Sequence, residues 1–384
     1  MKHSAERILT THCGSLPRPR ALLDLMKARA SGGPFDERAY DEQTRQAVQD
    51  IVRRQADSGI DVVTDGEQGK VGFFTYVSER LAGFEPRPRA KFTLFAKEVE
   101  AFPEYYEQYF RQAMLGGTAA PMVPLVCTGP VSYRGHAAIR KDVANLKAAL
   151  EGVAAEEVFM PAVAPSGVGS NEYYASEEEY LMAVADAMRE EYQAIVDAGF
   201  LVQIDDPFLT DVYSYSNLGP AERRKTAELY VEAINRGIHG IPRDRVRFHT
   251  CYGINEGPRV HDAELKDMVD VLLKINAGAI SFEAANPRHE HDYHAWEGVR
   301  LPEGMILIPG VITHAHNIVE HPQVIAERLT RYANIVGREN VIAGADCGFS
   351  SQATYNTEVH PTVVWAKFEA MTEGARLATQ QLWR

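Results

Sequence analysis

The feature that most constrains the fold of this chain is a repeated alternation between short runs of β-branched residues and longer amphipathic segments. Such alternation is typical of a parallel sheet whose strands are joined by helices. The candidate strands are Ile8–His12, Ile60–Asp65, Val123–Cys127, Val158–Ala162, Leu201–Asp205, Val246–His249, Ala279–Glu283, Met305–Pro309 and Val341–Ala343. They are one more than a (β/α)8 barrel needs, so we assign Ile8–His12 to an N-terminal cap over the barrel mouth. The 384 residues then form a single domain, one α/β barrel over residues 1–384.

The clearest helix is predicted to begin at Ser176 and to end at Gly199. Ser176 followed by Glu179 is a capping box, and Gly199 suits a left-handed C-terminal cap. Apolar residues between them recur at spacings of four and three and form one stripe, namely Leu181, Ala185, Met188, Tyr192 and Ile195. In contrast, the segment from Ala82 to Gly117 is rich in Phe, Tyr, Glu and Pro and lacks periodicity. We interpret it as an insertion in the barrel, a candidate lid.

Composition excludes several classes of protein. The chain has 40 basic and 53 acidic residues, a net charge of −13, which argues against nucleic acid as the main partner because phosphate binding needs a basic face. It contains no long apolar run that would span a membrane. Residues 1–7 lack the apolar core of a signal peptide, and four cysteines in a chain of this length do not form a secretory disulfide framework. We therefore expect a cytoplasmic protein whose cysteines are thiols or metal ligands.

Polar residues at the ends of predicted strands suggest a metal site. The carboxyl ends of parallel strands are where α/β barrels build their active sites, and His249, Cys251, Glu283 and Cys347 all lie at such ends. One imidazole, one carboxylate and two thiolates form a tetrahedral set, and sulfur selects zinc over Mg²⁺ or Ca²⁺. The alternative is that both cysteines are buried apolar thiols and that His249 is a hydrogen-bonded core histidine.

A zinc ion held by two thiolates and a carboxylate is a weak Lewis acid, poorly suited to activating water. It suits the binding of a substrate thiol as a thiolate. A free thiol with a pKa near ~8.5 is only slightly ionised at neutral pH, so zinc would supply the missing anion. The chemistry that this set predicts is S-alkylation.

A second group of residues could hold an α-amino acid. The small-residue turn Gly14-Ser15 can offer backbone N–H groups to a carboxylate, and the acids of Asp65-Gly66-Glu67 and Asp205-Asp206-Pro207 can hold an ammonium group. The alternative for Asp65 and Asp205 is a role as helix N-caps after the strands.

These motifs, in this order, resemble the catalytic barrel of cobalamin-independent methionine synthase. The matching segments are Cys13–Pro19, Asp65–Glu67, Thr128–Pro130, Gln203–Pro207, His249–Cys251, Phe282–Glu283, Pro309–Val311 and Asp346–Gly348. The resemblance implies a (β/α)8 barrel with Zn²⁺ on His249, Cys251, Glu283 and Cys347. It also implies that Ser15, Glu67 and Asp205 bind homocysteine, the thiol that receives a methyl group from 5-methyltetrahydrofolate in methionine biosynthesis.

The chain departs from that pattern and is closer to a short branch that includes epoxyalkane:coenzyme M transferase. No tryptophan follows Thr128–Pro130, whereas the synthase has one that stacks on the pterin. Segments Ser281–His289 and Val319–Pro322 are similar to the short branch, in which a zinc-bound thiol opens an epoxide. That reaction needs an acid, for which His289 and His314 are our candidates, with His291 and His316 as alternatives. A coenzyme M sulfonate would need a cation, and the candidates are Lys70, Arg134 and Arg288.

We therefore predict a zinc-dependent transferase that moves an alkyl group, methyl above all, from a small donor to a small-molecule thiol. The first alternative is zinc-dependent attack of a thiol on an epoxide. A non-catalytic zinc- and thiol-binding protein is an alternative of another class. A metal-free decarboxylase on a similar barrel would use Asp65, Glu67 and Asp205 instead, and the Cys and His residues argue against it.

Overall fold

The computed structural model describes residues 1–87, 94–112, 117–253 and 256–384. The strands, numbered in chain order, are β1 (Leu9–Thr10), β2 (Val62–Val63), β3 (Leu81–Pro86), β4 (Leu125–Tyr133), β5 (Glu157–Val163), β6 (Ser170–Asn171), β7 (Leu201–Asp205), β8 (Val246–His249), β9 (Ala279–Phe282), β10 (Ile306–Ile312) and β11 (Ile342–Ala345). The α-helices are α1 (Arg20–Ala30), α2 (Glu37–Asp57), α3 (Ala96–Ala101), α4 (Pro103–Gln112), α5 (His136–Ala149), α6 (Glu177–Asp197), α7 (Phe208–Ser214), α8 (Pro220–Gly237), α9 (Val269–Leu272), α10 (Pro322–Val336) and α11 (Pro361–Leu382).

Eight parallel strands form the predicted α/β barrel. Their order is β1-β11-β10-β9-β8-β7-β5-β2, and each neighbouring pair runs in the same direction. The sheet is nearly closed, because the amide of Asp61 next to β2 donates to the carbonyl of Thr10 in β1 at 3.1 Å. Parallel strands wound this way carry their functional side chains at the carboxyl ends, so the topology brings the ends of β5, β7, β8, β9 and β11 around one mouth.

Two strand assignments from the sequence are wrong. Ile8–His12 is not a cap over the mouth, because Leu9 and Thr10 pair with Ile342 and Ala343 as a full member of the barrel. Val123–Cys127 is not a barrel strand. It begins β4, which pairs antiparallel with β3 and parallel with β6 in a separate three-stranded sheet. A short run of strand-forming residues does not show which other strand it pairs with, and only the pairing partner distinguishes a barrel strand from a strand outside it.

The N-terminal residues do cover the barrel, but at the end opposite the mouth. Met1 packs against two apolar clusters, and its amino group lies 3.7 Å from the carboxylates of Glu157 and Asp244. Those clusters are formed by Leu9, Ala279, Ile306, Ile308 and Ile342, and by Val62, Phe159 and Leu201. The segment that the sequence places over the mouth therefore contributes a barrel strand, while the residues before it seal the amino end.

The predicted helix after Ser176 is confirmed as α6. The Ser176 hydroxyl accepts from the amide of Glu179 at 3.1 Å, and Gly199 has a φ of 96°, the left-handed value that favours glycine. All residues of the predicted stripe are buried. The hydrophobic face thus packs on the sheet as its spacing indicates.

The predicted insertion, from residue 82 to residue 117, lies partly in 88–93 and 113–116, outside the described residues. Its described parts contain most of β3 with α3 and α4. Lys97 in α3 donates to the carbonyls of Ser214 and Ser216 at 2.9 and 3.0 Å, and Tyr109 in α4 donates to Glu358 at 2.9 Å. Since these partners follow strands of the barrel, the insertion is anchored on the mouth. Within the described part of the chain, no helix combines the length and apolar character needed to cross a bilayer.

Candidate metal centre and active-site cavity

Three of the predicted metal ligands meet at the mouth of the barrel. His249 ends β8, Cys251 follows it two residues later, and Cys347 follows β11. Their ligand atoms all lie within 4.8 Å of one another, and the sulfur atoms of the two cysteines are 3.1 Å apart. That separation is well beyond a disulfide bond of about 2.05 Å, and both cysteines are free thiols. The three side chains are buried.

The protonation state of His249 suits a metal ligand. Burial, reinforced by the charge of Arg247, lowers the pKa of His249 to about 3, so its ring is neutral. Its Nδ1 lies 3.3 Å from the Ser281 hydroxyl, and its Nε2 is buried without a hydrogen-bond partner in the described part of the chain. A neutral imidazole with one orphaned nitrogen beside two thiols is a soft donor set that fits Zn²⁺.

Without a cation, both thiols stay protonated. The hydrogen bond with Cys347 and burial raise the pKa of Cys251 well above its ordinary value. For Cys347, the hydrogen bond with Cys251 lowers the pKa, but burial and the charges of Cys13 and Glu283 outweigh it. A metal would reverse this preference, because a coordinated thiol loses its proton.

Glu283, the fourth predicted ligand, faces the same region but makes other contacts. Arg259 Nη1 donates to its Oε2 at 2.6 Å and Arg259 Nη2 to its Oε1 at 3.1 Å. The amide of Tyr252 donates to Oε1 at 2.9 Å, and Asn286 Nδ2 donates to Oε2 at 2.8 Å. The structure therefore brings His249, Cys251 and Cys347 together and holds Glu283 beside them on an arginine.

The loop that carries Glu283 is fixed by Asp346, the residue before Cys347. The carboxylate of Asp346 accepts from the amides of Ala284, Ala285 and Asn286 at 2.7 to 2.9 Å. Gly310 allows this approach, because a Cβ there would lie 2.0 Å from Asp346 Oδ1. One buried acid thus couples the positions of two predicted ligands.

A cavity opens from the thiols, and all three predicted substrate-binding residues line it: Ser15, Glu67 and Asp205. Glu67 has a φ of 55°, a strained value for a side chain larger than glycine. Burial and the neighbouring charge of Glu67 raise the pKa of Asp205 well above its ordinary value. Two adjacent buried carboxylates with one cation nearby, Lys70 at 3.4 Å from Glu67, form a site that attracts an ammonium group.

The alternative role of these acids as caps applies to some of them and not to others. Asp65 caps a turn, accepting from the amide of Glu67 at 2.9 Å, and is absent from the described lining of the cavity. Asp206 accepts from the amide of Leu209 at the start of α7 at 3.0 Å and from Ser166 at 2.8 Å. Asp205 accepts instead from Gln203 at 2.8 Å and faces the cavity. Consecutive residues therefore have different roles, because a strand directs them to opposite sides.

His289, a predicted general acid, lies in a charge network behind the metal ligands. Its Nδ1 is 2.8 Å from Asp292 and its Nε2 is 3.0 Å from Asp262. Burial lowers the pKa of His289, but the two carboxylates outweigh it and raise the pKa to about 9. The ring stacks on Tyr252 with centroids 4.0 Å apart. The imidazolium is engaged on both nitrogens and is not among the described residues that line the cavity.

His314, the other candidate acid, is buried next to Glu283 and Asp346, with ligand atoms of the three within 4.8 Å of one another. Burial and the charge of Arg259 lower its pKa to about 3. His314 is therefore neutral at neutral pH, and it too is absent from the described lining of the cavity. The acid role of either histidine stays a prediction.

Several cavity residues were missed in the sequence. Asp211 in α7 and Glu358 line it, and burial is the main reason why the pKa of each rises to about 7. Phe73, Phe74 and Phe208 form a cluster of rings with centroids 5.0 to 6.3 Å apart. Asp211 lies one helical turn after the predicted Asp205-Asp206-Pro207, which is the only signal that pointed to it.

The comparisons with known proteins agree with this architecture. The sequence profile described as the catalytic domain of cobalamin-independent synthase matches residues 8–169 and 168–367. The chain belongs to this family. The eight-stranded α/β barrel agrees with membership of the cobalamin-independent synthase family.

Relatives and solved structures cover almost the whole chain. A methionine synthase of Thermococcus kodakarensis is 24% identical over 98% of this chain and 94% of its own length, and one of Sulfolobus acidocaldarius is 24% identical over 88% and 85%. A B12-independent methionine synthase from Shewanella sp. W3-18-1, in complex with selenomethionine, has the same fold with a TM-score of 0.73. It is 20% identical over 98% of this chain and 99% of that one. This cobalamin-independent synthase domain therefore matches those proteins along nearly its full length.

Proposed function

We propose that this protein transfers an alkyl group, methyl in the first place, to the thiol of a homocysteine-like amino acid with the help of bound zinc. The observation that carries the proposal is that two thiols and an orphaned imidazole nitrogen meet at one end of a cavity whose wall contains Ser15, Glu67 and Asp205. The family match and the names of the relatives, methionine synthases, support the same chemistry. We also propose that residues 1–384 form one catalytic barrel in the cytoplasm.

His249, Cys251 and Cys347 would hold the zinc, and Glu283 would be a fourth ligand if it left its contact with Arg259. Bound there, zinc would keep a substrate sulfur ionised at neutral pH while leaving it nucleophilic. Glu67 and Asp205 would bind the ammonium group of the amino acid, and Ser15 would bind its carboxylate end. Their fixed positions would direct the substrate sulfur towards the three metal ligands, which is the positioning that accelerates a displacement.

The insertion would exclude water from the sulfur. Leu94 and Phe95 line the cavity and Phe95 packs on Tyr106 and Tyr215. The displacement forms a bond from sulfur to the alkyl carbon while the donor leaves with the electron pair of the old bond. A dry cavity favours this step, because a thiolate without a hydration shell is the stronger nucleophile.

The epoxide alternative receives less support, because no described residue that lines the cavity is Lys or Arg. The three cations considered for a sulfonate already have other partners. Lys70 donates to the carbonyl of Pro161 at 2.6 Å, Arg134 donates to the carbonyl of Ser78 at 2.7 Å, and Arg288 lies 4.0 Å from Glu264.

The experiment that tests the proposal measures zinc per chain and product formation in the purified protein and in Cys251→Ser. We expect about one zinc per chain, lost in Cys251→Ser together with at least ~100-fold of the activity with homocysteine and methyltetrahydrofolate. Cys127→Ser is the matched control, since Cys127 lies in β4, outside the barrel, and its sulfur donates to the carbonyl of Gly129 at 3.2 Å.

Other results of these zinc and product measurements would favour one of the alternative functions. Product from a thiol and a small epoxide, with none from the methyl donor, would favour the epoxide transferase. Zinc and thiol binding without turnover of either pair would favour a non-catalytic binding protein. A folded protein that binds no zinc would remove the thiolate mechanism altogether.

A further inference from the structure

Arg259 is a buried arginine in direct contact with a proposed metal ligand. It is 4% exposed and lies in the connection between β8 and α9, with a φ of 58°. Its two terminal nitrogens donate hydrogen bonds to the two carboxylate oxygens of Glu283, at 2.6 and 3.1 Å. Such a bidentate pair is among the strongest and most directional contacts that a carboxylate makes, and a left-handed backbone at a large residue persists only where its surroundings fix it.

The carboxylate of Glu283 has no acceptor site left. Its Oε1 accepts from the amide of Tyr252 as well as from Arg259, and its Oε2 accepts from Asn286 as well as from Arg259. A carboxylate has about four lone-pair sites, so these four hydrogen bonds occupy all of them. Glu283 can ligate a metal only after at least one of these bonds has broken.

The other three ligands are in the opposite state. His249 Nε2 is buried with no partner in the described part of the chain, and the thiols of Cys251 and Cys347 contact each other. These atoms are free to bind a metal without losing a strong contact. Two thiolates and a neutral imidazole also balance the charge of a divalent cation, so Glu283 is not needed for neutrality.

We propose that Arg259 is a positioning residue that holds Glu283 away from the metal, so that His249, Cys251 and Cys347 form a three-ligand site with its fourth position open to the substrate thiolate. The inference rests on the proposed zinc-dependent function. The addition is that Arg259 binds the carboxylate of Glu283 before substrate arrives, so that Glu283 does not take the fourth position on the metal.

The network behind Arg259 keeps this arrangement reversible. Arg259 Nη2 also donates to the carbonyl of Gly253 at 3.1 Å, and its Nε lies 3.4 Å from Asp262. If Glu283 moves onto the metal, these contacts still accompany the guanidinium, so the charge is not left unpaired. Asp262 is held in turn by the Tyr215 hydroxyl at 3.0 Å and by His289.

The experiment compares zinc affinities of metal-free proteins in competition with a chromogenic chelator. In the wild-type background we expect Glu283→Gln to change the zinc dissociation constant by less than ~3-fold. We expect Arg259→Gln to tighten zinc binding ~10- to 100-fold, the range over which groups that support metal ligands act. Adding Glu283→Gln to Arg259→Gln should reverse that gain, since the released carboxylate is what binds.

A spectroscopic measurement reports the same position without turnover. With Co²⁺ in place of zinc, homocysteine should change the visible spectrum of the wild-type protein at lower thiol concentration than that of Arg259→Gln, in which Glu283 occupies the fourth position. Arg328→Gln is the matched control, because Arg328 is a buried arginine in α10 that also donates to both oxygens of one carboxylate, that of Glu290, at 3.3 and 3.2 Å. It should leave both measurements unchanged.

If Arg259→Gln fails to fold, Arg259→Lys keeps the charge but cannot form the bidentate contact, and its zinc affinity should rise by a smaller factor in the same direction. A loss of zinc affinity of ~10-fold or more in Glu283→Gln, with no change in the Arg259 variants, would overturn the inference alone. Failure of the wild-type protein to bind zinc at all would overturn the proposed function and the inference together.

Discussion

The two ends of the barrel are built on opposite principles. The amino end is closed by Met1 and aliphatic or aromatic residues such as Leu9, Ile308 and Phe159. The carboxyl end buries free thiols, two neutral histidines, several acids and Arg259. Apolar burial is favourable by roughly 25 cal/mol per Å², whereas buried charges cost free energy unless they are paired. The apolar burial at the amino end therefore stabilises the fold and offsets the free energy that the buried charged groups cost at the carboxyl end.

The change from apolar to charged surroundings occurs within single strands. In β8, Arg247 lies two residues before His249, and its guanidinium donates to Thr11 and to the carbonyl of His12 at 3.0 Å. It also lies 3.9 Å from the centre of the Phe159 ring. Arg247, a buried cation stacked on an aromatic ring, therefore lies between the apolar amino end and the charged mouth. Its charge lowers the pKa of His249 and so helps to keep that ring neutral.

The largest effect on activity is expected from Asp205→Asn, which removes an acid from the mouth. We expect kcat/KM for the thiol substrate to fall ~100-fold, because the ammonium group loses a carboxylate. Thermal stability should rise by a few degrees, since burial and Glu67 disfavour the ionised Asp205. Kinetics and thermal unfolding of the variant check both.

The sign of the pH dependence follows from the raised pKa of Asp205. The protonated acid stabilises the fold below about pH 4, and this contribution is lost as the pH rises through the folded-state pKa. The stability gained by Asp205→Asn should therefore be greater at pH 8 than at pH 5. The exposed acid Asp197, changed to Asn, serves as the control, and an equal gain at both pH values would contradict the assignment.

At the opposite end, Ile308→Ala should affect stability and leave the site intact. Ile308 is 1% exposed in an apolar cluster with Leu9, Ile306 and Ile342, and the cavity left by truncation costs about 2 to 5 kcal/mol. Denaturant unfolding measures this loss, and zinc per chain should stay at the wild-type value. Loss of zinc in the folded variant would show that the two ends are not independent.

The smallest effect concerns the charge network around His289. Its pKa of about 9 in the folded protein exceeds the ordinary 6.5, so it stabilises the fold below about pH 6.5 and this contribution is lost as the pH rises through 9. The total is about 3 kcal/mol. In His289→Asn this decline should be absent from unfolding curves measured between pH 6 and 10. A decline that persists in the variant would assign it to other groups.

The sequence predicted the barrel because its helices and strands have different periodicities. Spacing alone located α6 with its cap at Ser176 and its C-terminal glycine. It placed Ile8–His12 over the mouth and Val123–Cys127 in the barrel, and both assignments were wrong because a short run of residues does not show which strand it pairs with. Their positions depend on hydrogen-bond partners far away in the chain, in β11 for the first segment and in β3 for the second.

The residue types of the site were equally visible in the sequence. His249, Cys251 and Cys347 are rare, chemically distinctive residues at strand ends, and the topology brings them together as predicted. Asp211, Glu358 and Arg259 are common charged residues in a chain with 93 of them. Apart from the position of Asp211 one helical turn after Asp205-Asp206-Pro207, nothing in their spacing sets them apart, and only the cavity and the buried contacts show that they differ from surface charges.

The sequence by itself thus determined the class of fold and the chemical character of the mouth, because periodicity and thiol–imidazole chemistry are local properties of the residues. The tertiary structure alone decided which segment completes the barrel, that His289 is a doubly paired cation, and that Glu283 is held by Arg259. These depend on distances between residues far apart in the chain, and the strength of a charge contact depends on burial, which no local pattern encodes.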